Sequence, residues 1–218
     1  DLARYPRTLE QDLEACHRKG VDVVFAPEPS AMYPAGFQSQ VRVTELTRPL
    51  EGAFRPTHFD GVTTVVAKLF GLAGACTAVF GRKDYQQWKI LSRMANDLDM
   101  PVEVVGCPIV READGLALSS RNRYLSAEER PRALGIVTGL RAVADAWSAG
   151  ERDANTLEAL AREPVASALD RIDYVAVRDP ETLETPAPKS KRLLVAVAAH
   201  LGTTRLIDNV VLGEDPRP

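Results

Sequence analysis

The chain has 218 residues, of which 45% are apolar and 26% charged, with a net charge of −3; this suits one substantial core, or one domain with a small appendage, and excludes a disordered or fibrous protein. Lys and Arg are spread along the chain, so no basic stripe marks a nucleic acid or an anionic membrane as partner. No apolar run approaches the roughly 20 residues that span a bilayer, and Asp1-Leu2-Ala3-Arg4-Tyr5-Pro6 carries no signal-peptide core, so a cytoplasmic protein is expected.

In chain order, Thr8-Leu9-Glu10-Gln11 reads as a capping box opening a helix that Gly20 closes. Val21 to Ala26 reads as a buried strand ending at Pro27. Glu28 to Gly36, with Pro29, Pro34 and Gly36, reads as a loop beyond that strand's carboxyl end, where open α/β sheets bind ligands. A short strand is expected at Gln40 to Leu46. Phe59 to Leu72 then has helical spacing, with Val62, Val65, Val66, Leu69 and Phe70 as an apolar stripe for the core or for a second subunit. A strand at Cys76 to Phe80, a helix at Asp84 to Leu98 and a strand at Val102 to Val105 form a βαβ unit and call for a parallel sheet. Cys16, Cys76 and Cys107 are far apart and read as buried free thiols; they and His17, His58 and His200 show no metal-ligand spacing.

From Ala127 the pattern changes. Ser126-Ala127-Glu128-Glu129 is a capping box for a helix that runs to about Ala149, kinked near Pro131 and stopped at Gly150. A second helix is expected from Ala154 to Arg162, ending before Pro164. Strands follow at Ile172 to Arg178, Leu193 to Ala199 and Thr204 to Val211, the first two separated by a Pro-rich loop. Helices followed by antiparallel-looking strands predict a smaller α+β domain. The chain is therefore divided into residues 1–110 and 111–218, with the junction near Val110 to Asn122.

Two segments carry chemistry. Phe80-Gly81-Arg82-Lys83-Asp84-Tyr85-Gln86-Gln87 lies where a strand turns into a helix; Gly81 is read as permitting a sharp turn, and Lys83 adds a cation to a helix N-terminus already suited to an anion. Asp84 and Gln87, three residues apart, project from one face of the first turn, toward a ribose hydroxyl or a polar substrate group. The plainer reading is a solvated helix start. Ser119-Ser120-Arg121-Asn122 combines two hydroxyls with a guanidinium fork, a set that suits a polyphosphate and a charged pyrophosphate leaving group. Here the plainer reading is a polar turn. Gly202 to Asn209 reads as a turn and strand rather than a site.

Together Met32-Tyr33-Pro34-x-Gly36, Phe80-Gly81-x-Lys83-Asp84-Tyr85-Gln86-Gln87, Arg111-Glu112-x-Asp114-Gly115-Leu116-Ala117-x-Ser119-Ser120-Arg121-Asn122-x-Tyr124-Leu125 and Gly202-x-Thr204-Arg205-Leu206-Ile207-Asp208-Asn209 resemble the pantoate–β-alanine ligase family over essentially the whole chain. The resemblance implies a Rossmann-like parallel sheet of the nucleotidyltransferase superfamily with a smaller C-terminal α+β domain. It implies a cytoplasmic homodimer that uses ATP and Mg²⁺ to join pantoate and β-alanine through a pantoyl adenylate. It assigns Lys83 to the phosphates, Asp84 to the adenosine ribose and Gln87 to pantoate. Ser119, Ser120 and Arg121 would hold ATP phosphates, with nucleotide contacts also at Gly81, Val110 and Leu118, the last standing where the family commonly has Met.

One departure from the family pattern matters. The family opens with a strand and a His-x-Gly-His motif that contacts ATP, then a pantoate-binding glutamine, all upstream of the segment matching Leu2 to Pro6; no His-x-Gly-His occurs here. A fragment of a longer enzyme is the preferred reading over a genuine truncation, which would leave neighbouring strands unpaired. The alternatives carried forward are a related nucleotidyltransferase with another acceptor and a catalytically dead nucleotide-binding module.

Overall fold

A computed structural model describes residues 8–188 and 190–218, so the N-terminal segment through Pro6 lies outside the described residues. The chain divides into two compact units, residues 1–39 and 40–218.

In the first unit, α1 (Leu9–Arg18) follows Thr8 and is stopped at Gly20, whose φ of +72° suits glycine. The expected capping box is absent: the Thr8 hydroxyl donates to Asp12 Oδ1 at 3.4 Å and makes no cap. Val21 to Ala26 is a second correction, being exposed and in no strand, with Val23 81% exposed. An apolar β-branched run becomes a strand only where a neighbour completes its hydrogen bonds, and none of the described strands does so. Within the expected loop, Pro29–Met32 makes one helical turn, α2, with proline at its start.

In the second unit, the segment expected as a strand at residues 40–46 is instead tied to a helix. The Val41 N–H donates to Thr64 Oγ1 at 3.0 Å, and Thr63 Oγ1 donates to Val41 O at 2.5 Å. After α3 (Glu51–Phe54), α4 (His58–Ala73) carries both threonines. Then come β1 (Cys76–Gly81), α5 (Tyr85–Asp97) and β2 (Val102–Cys107). β1 and β2 pair in parallel from Cys76↔Val102 to Gly81↔Cys107, as the βαβ pattern requires. Ala78, Phe80, Val102 and Val104 form the face packed against Phe70 of α4 and Leu91 and Met94 of α5. The alternate positions face away, and Val79 is 63% exposed. That geometry corrects the thiol reading: the cysteines are free, but Cys76, at the start of β1, and Cys107, on the uncovered face of β2, are exposed, and Cys16 is half-buried.

Beyond β2 the chain reaches α6 (Glu129–Arg132), α7 (Leu134–Ser148) and α8 (Ala154–Ala168). The capping box at Ser126 is complete, Ser126 N–H donating to Glu129 Oε2 at 2.9 Å and Glu129 N–H to Ser126 Oγ at 3.1 Å. The single long helix expected here is two helices, broken at Ala133 just after Pro131. Strands β3 (Arg171–Arg178), β4 (Leu193–Leu201) and β5 (Thr204–Leu212) form an antiparallel sheet in the order β3-β4-β5. Val175, Val195 and Val197 face Ile136 and Leu140 of α7 and Leu157 of α8. Ala176, Leu194, Ala196 and Val211 pack on the other face, with Tyr85 of α5 and Leu50. The antiparallel sheet therefore stands between the α7/α8 pair and the βαβ layer.

Helix α8 runs straight through Pro164, where the sequence pattern ended it. A proline costs an interior helix roughly 3 kcal/mol. Packing offsets that cost, since each fully buried Leu, Ile or Val contributes about 1.5–3 kcal/mol, and Leu157, Ala161 and Val165 are all fully buried on α8. The close approach uses Gly135 and Gly139 of α7: a Cβ on Gly139 would overlap Ala161 O, and one on Gly135 would stand 2.5 Å from Ala168 Cβ. Gly139→Ala would gain about 1 kcal/mol of helix propensity yet push a methyl into helix backbone, at a cost of roughly 1–3 kcal/mol. A lower midpoint in thermal unfolding is the expected outcome; a raised one would show that α8 can move aside.

Candidate active site

At the end of β1 the chain enters a 3-10 turn, Arg82–Asp84, that leads into α5. Gly81 has φ −77° and ψ 130°, ordinary extended backbone, and a Cβ there would meet nothing within 4 Å. The expected glycine-dependent turn is corrected: the bend belongs to the residues after Gly81, and the glycine leaves open room at the strand end. Helical geometry then sorts the next four residues into two faces. Tyr85 and Gln86 are each 5% exposed. The Tyr85 hydroxyl donates to Pro180 O at 3.2 Å, and burial pushes its pKa well above the ordinary phenol value. The Gln86 amide donates to Leu46 O and Pro49 O, both at 2.8 Å, and accepts from Glu51 N–H at 3.0 Å. Asp84 is exposed and Gln87 half-buried, on the other side of the turn. Of the two adjacent glutamines, Gln86 is the one that fastens the loop at Leu46 and Pro49.

The second element is a narrow hairpin over residues 110–118. Leu118 N–H donates to Val110 O at 2.9 Å, Glu112 N–H to Leu116 O at 2.8 Å, and Arg111 bridges Ala117. Its tip requires Gly115, at φ +99°, where a Cβ would also overlap Arg141 Nη2. Val110 and Leu118 are exposed at the hairpin's mouth, at 66% and 56%. The chain then makes a 3-10 turn, Ser120–Tyr124, capped by Ser119, whose Oγ accepts from Arg121 N–H at 3.2 Å. Ser119, Ser120 and Arg121 are half-buried.

Strand β5 holds the two elements together. Asp208, 3% exposed, accepts a bidentate fork from Arg111 at 2.7 and 3.0 Å. Burial raises the Asp208 pKa, while the Arg111 fork and the nearby Lys83 pull the other way. The next residue, Asn209, donates from Nδ2 to Arg82 O at 3.0 Å and Lys83 O at 2.9 Å. Lys83, Ser119, Asn122, Arg205 and Asp208 accordingly line one crevice. The run ending in Asn209 is a strand, as its pattern indicated, and it also supplies the site's framework. The signal was two adjacent polar residues in a strand whose neighbours Val210 and Val211 are core.

Arg205 extends the charge network, donating from Nε to Asp173 Oδ2 at 2.7 Å and from Nη1 to Glu51 Oε2 at 2.9 Å. The Tyr174 hydroxyl donates to Glu51 Oε1 at 3.0 Å, and burial and that carboxylate keep the phenol protonated. Arg55 lies within electrostatic reach of Arg121, and His58 within reach of Asp84; burial and then Arg55 depress the His58 pKa. Of the residues singled out by sequence, Lys83 and Ser119 thus meet in one crevice, together with Arg205, Asn122 and Asp208, around an enclosed space of about 10 Å³; Gly81, Asp84, Gln87, Val110, Leu118, Ser120 and Arg121 do not line it. Among the described residues, no three His, Cys, Asp or Glu side chains gather as metal ligands.

A family described as Pantoate-beta-alanine ligase matches residues 1–211. A pantothenate synthetase of Acidobacterium capsulatum is 53% identical over 221 residues, covering 99% of this chain and 73% of the relative. One from Bradyrhizobium diazoefficiens, pantothenate synthetase 1, is 51% identical over 99% of this chain and 76% of its own length. The crystal structure of pantothenate synthetase from Thermus thermophilus superposes with a TM-score of 0.92 at 45% identity, covering 96% of this chain and 76% of that one. A Francisella tularensis pantoate-beta-alanine ligase, described as complexed with beta-gamma ATP and beta-alanine, matches all of this chain and 75% of its own, with a TM-score of 0.75 and 28% identity.

Asn209→Ala would strip both carbonyls of the Lys83 turn of their side-chain donor. Each lost bond leaves a group to be rehydrated, so a loss of about 1–3 kcal/mol in denaturant unfolding is expected; an unchanged midpoint would mean that the turn is held by other contacts.

Proposed function

The chain belongs to the pantoate–β-alanine ligase family, and we propose that it condenses pantoate with β-alanine to pantothenate at the expense of ATP. The observation that carries this reading is the convergence of Lys83 and Ser119 on one crevice, Lys83 fastened to β5 through its own carbonyl and Ser119 carried by the hairpin that Arg111 ties to Asp208. A pantoate carboxylate oxygen attacks the α-phosphorus, the bond to the pyrophosphate oxygen breaks, and pantoyl adenylate forms. The β-alanine amine then attacks the acyl carbon, loses a proton and displaces AMP.

In this reading Lys83, Ser119, Ser120 and Arg121 act on the phosphates, Asp84 takes the ribose and Gln87 the pantoate. The exposed strand end at Gly81 and the hairpin mouth at Val110 and Leu118 border the nucleotide. Residues 1–110 supply the nucleotide- and pantoate-binding domain, and 111–218 the smaller domain carrying the serines. The pantoate nucleophile is already ionised, so the first step requires alignment and relief of repulsion between two anions, which Lys83 and Arg121 provide. The described side chains build no dedicated Mg²⁺ cage; the ion would enter with the nucleotide, held chiefly by phosphate oxygens and water, and the steps above are carried by the protein's own groups. Among the described residues no helix is long and apolar enough to cross a membrane; the inference of a cytoplasmic homodimer rests on the family resemblance alone.

Pantoate-dependent exchange of labelled pyrophosphate into ATP tests the reading. Exchange that requires pantoate is expected; exchange supported by another acceptor would indicate a related nucleotidyltransferase, and ATP binding without exchange a nucleotide-binding module. Lys83→Ala should lower the exchange rate by roughly 10²–10³-fold without moving the unfolding midpoint. Near-normal exchange in that variant would remove Lys83 from its role.

A further inference from the structure

Asn122 is one residue beyond the proposed phosphate ligands, and its side chain does something that a solvated turn residue does not. From Nδ2 it donates to Ala117 O at 3.1 Å and to Glu112 Oε1 at 2.6 Å. Its backbone N–H donates to Ser119 O at 3.0 Å, and its carbonyl accepts from Leu125 N–H at 3.2 Å. One residue therefore closes the chain over positions 117–122, the stretch that contains Ser119, Ser120 and Arg121. Glu112 is anchored in turn: its Oε2 accepts from Arg130 Nη2 at 2.9 Å, and the same guanidinium nitrogen lies 2.7 Å from Asp114 Oδ2 at the hairpin tip. Hydrogen bonds from Asn122 and then Arg130 hold the Glu112 carboxyl below its usual range. Arg130 belongs to α6, whose entry the Ser126–Glu129 capping box fixes.

The support thus runs from α6 through Arg130 and Glu112 to the Asn122 amide. Asn122 also lines the crevice beside Lys83 and Ser119. We propose that Asn122, clasped by Glu112, is a positioning residue that sets the Ser119–Arg121 turn for the nucleotide's phosphates. This rests on the ligase reading for the identity of the nucleotide. It acts through placement: an offset of about 1 Å in a phosphate-binding group costs on the order of a hundredfold in rate.

The test uses Asn122→Asp, which exchanges the donating amide for a carboxylate of the same shape, together with Asn122→Ala and the double variant Glu112→Gln/Asn122→Asp. In the first variant the new carboxylate opposes that of Glu112 unless the two share a proton. The charged groups facing that pair are Arg130, with Asp114 behind it, and, across the crevice, Lys83, Arg205 and Asp208. Both single variants are expected to weaken ATP binding by calorimetry about tenfold or more and to lower pantoate-dependent exchange by about a hundredfold, with the pantoate KM unchanged. Asn122→Asp should recover relative to wild type as pH falls, because its protonated carboxyl again donates to Glu112. In the double variant the amide introduced at position 112 donates to the carboxylate introduced at position 122, and part of the lost affinity should return. Wild-type ATP affinity with a flat relative pH profile in Asn122→Asp would overturn the proposal. A wild-type chain without exchange would count against activity of this chain as it stands, whether as a fragment or as a nucleotide-binding module, and the ATP titrations of the three variants would still decide whether the clasp sets the turn.

Discussion

The Arg111–Asp208 fork is the constraint from which the candidate site is built. A carboxylate as buried as Asp208, at 3% exposure, is tolerable only with a charged, well-oriented partner. Arg111 meets that condition with two hydrogen bonds and directs a third donation to Gly115 O at 3.0 Å, so the same guanidinium fixes the hairpin that leads to Ser119. Removing either partner would strand a charge in the interior, a situation that typically costs about 3–5 kcal/mol. The pair is thus weak as a source of net stability, and its geometry ties β5 to the hairpin at a defined point.

The rest of the second unit supplies a densely buried base. Strand β4 is buried along its length apart from a half-buried His200, with α7 and α8 on one face and Tyr85 and Leu50 on the other. The Lys83 turn reaches this block through Asn209 and through Arg82, which pairs with Glu214 and Asp215 beyond the end of β5. Lys89 pairs with Glu181 on the loop between β3 and β4. Ion pairs near a surface contribute little energy singly, but these arise from one short helical segment and converge on one sheet, so together they restrict how α5 can tilt.

Much of this was legible in the sequence where a local rule and the tertiary environment agree. The βαβ unit was plain from Cys76 to Val105, because β-branched runs flank an amphipathic helix and nothing opposes either. The Ser126 capping box was equally plain, since its two hydrogen bonds close within four residues. Pro164 misled, because the methyl-sized approach of α7 at Gly135 and Gly139 lies 25 to 29 positions away in the chain and outweighs the local penalty. Val21 to Ala26 misled for the opposite reason: its composition suits a strand, but a strand is a property of a pair. Lys83, Ser119 and Arg121 stand out in the sequence by chemical type as candidates, and the structure brings the first two to one crevice. Arg111, Asp208, Asn209 and Gln86 do not stand out, because a residue that holds a site in place resembles any other buried polar residue until its partners are known.

Trp88 follows Gln87 by one position, and its indole lies against Gly106 of β2, where a Cβ would sit 2.5 Å from Cε2. Tyr85 meets the same ring edge-on at 5.3 Å, and the Lys89 ammonium stands 5.2 Å from its centroid. The other tryptophan, Trp147, is at the far end of α7 beneath Arg152. The two indoles therefore stand in unlike surroundings, one wedged between the start of α5 and β2 and the other capped by a guanidinium at the end of α7, so tryptophan emission reads the packing of two separate places in the chain.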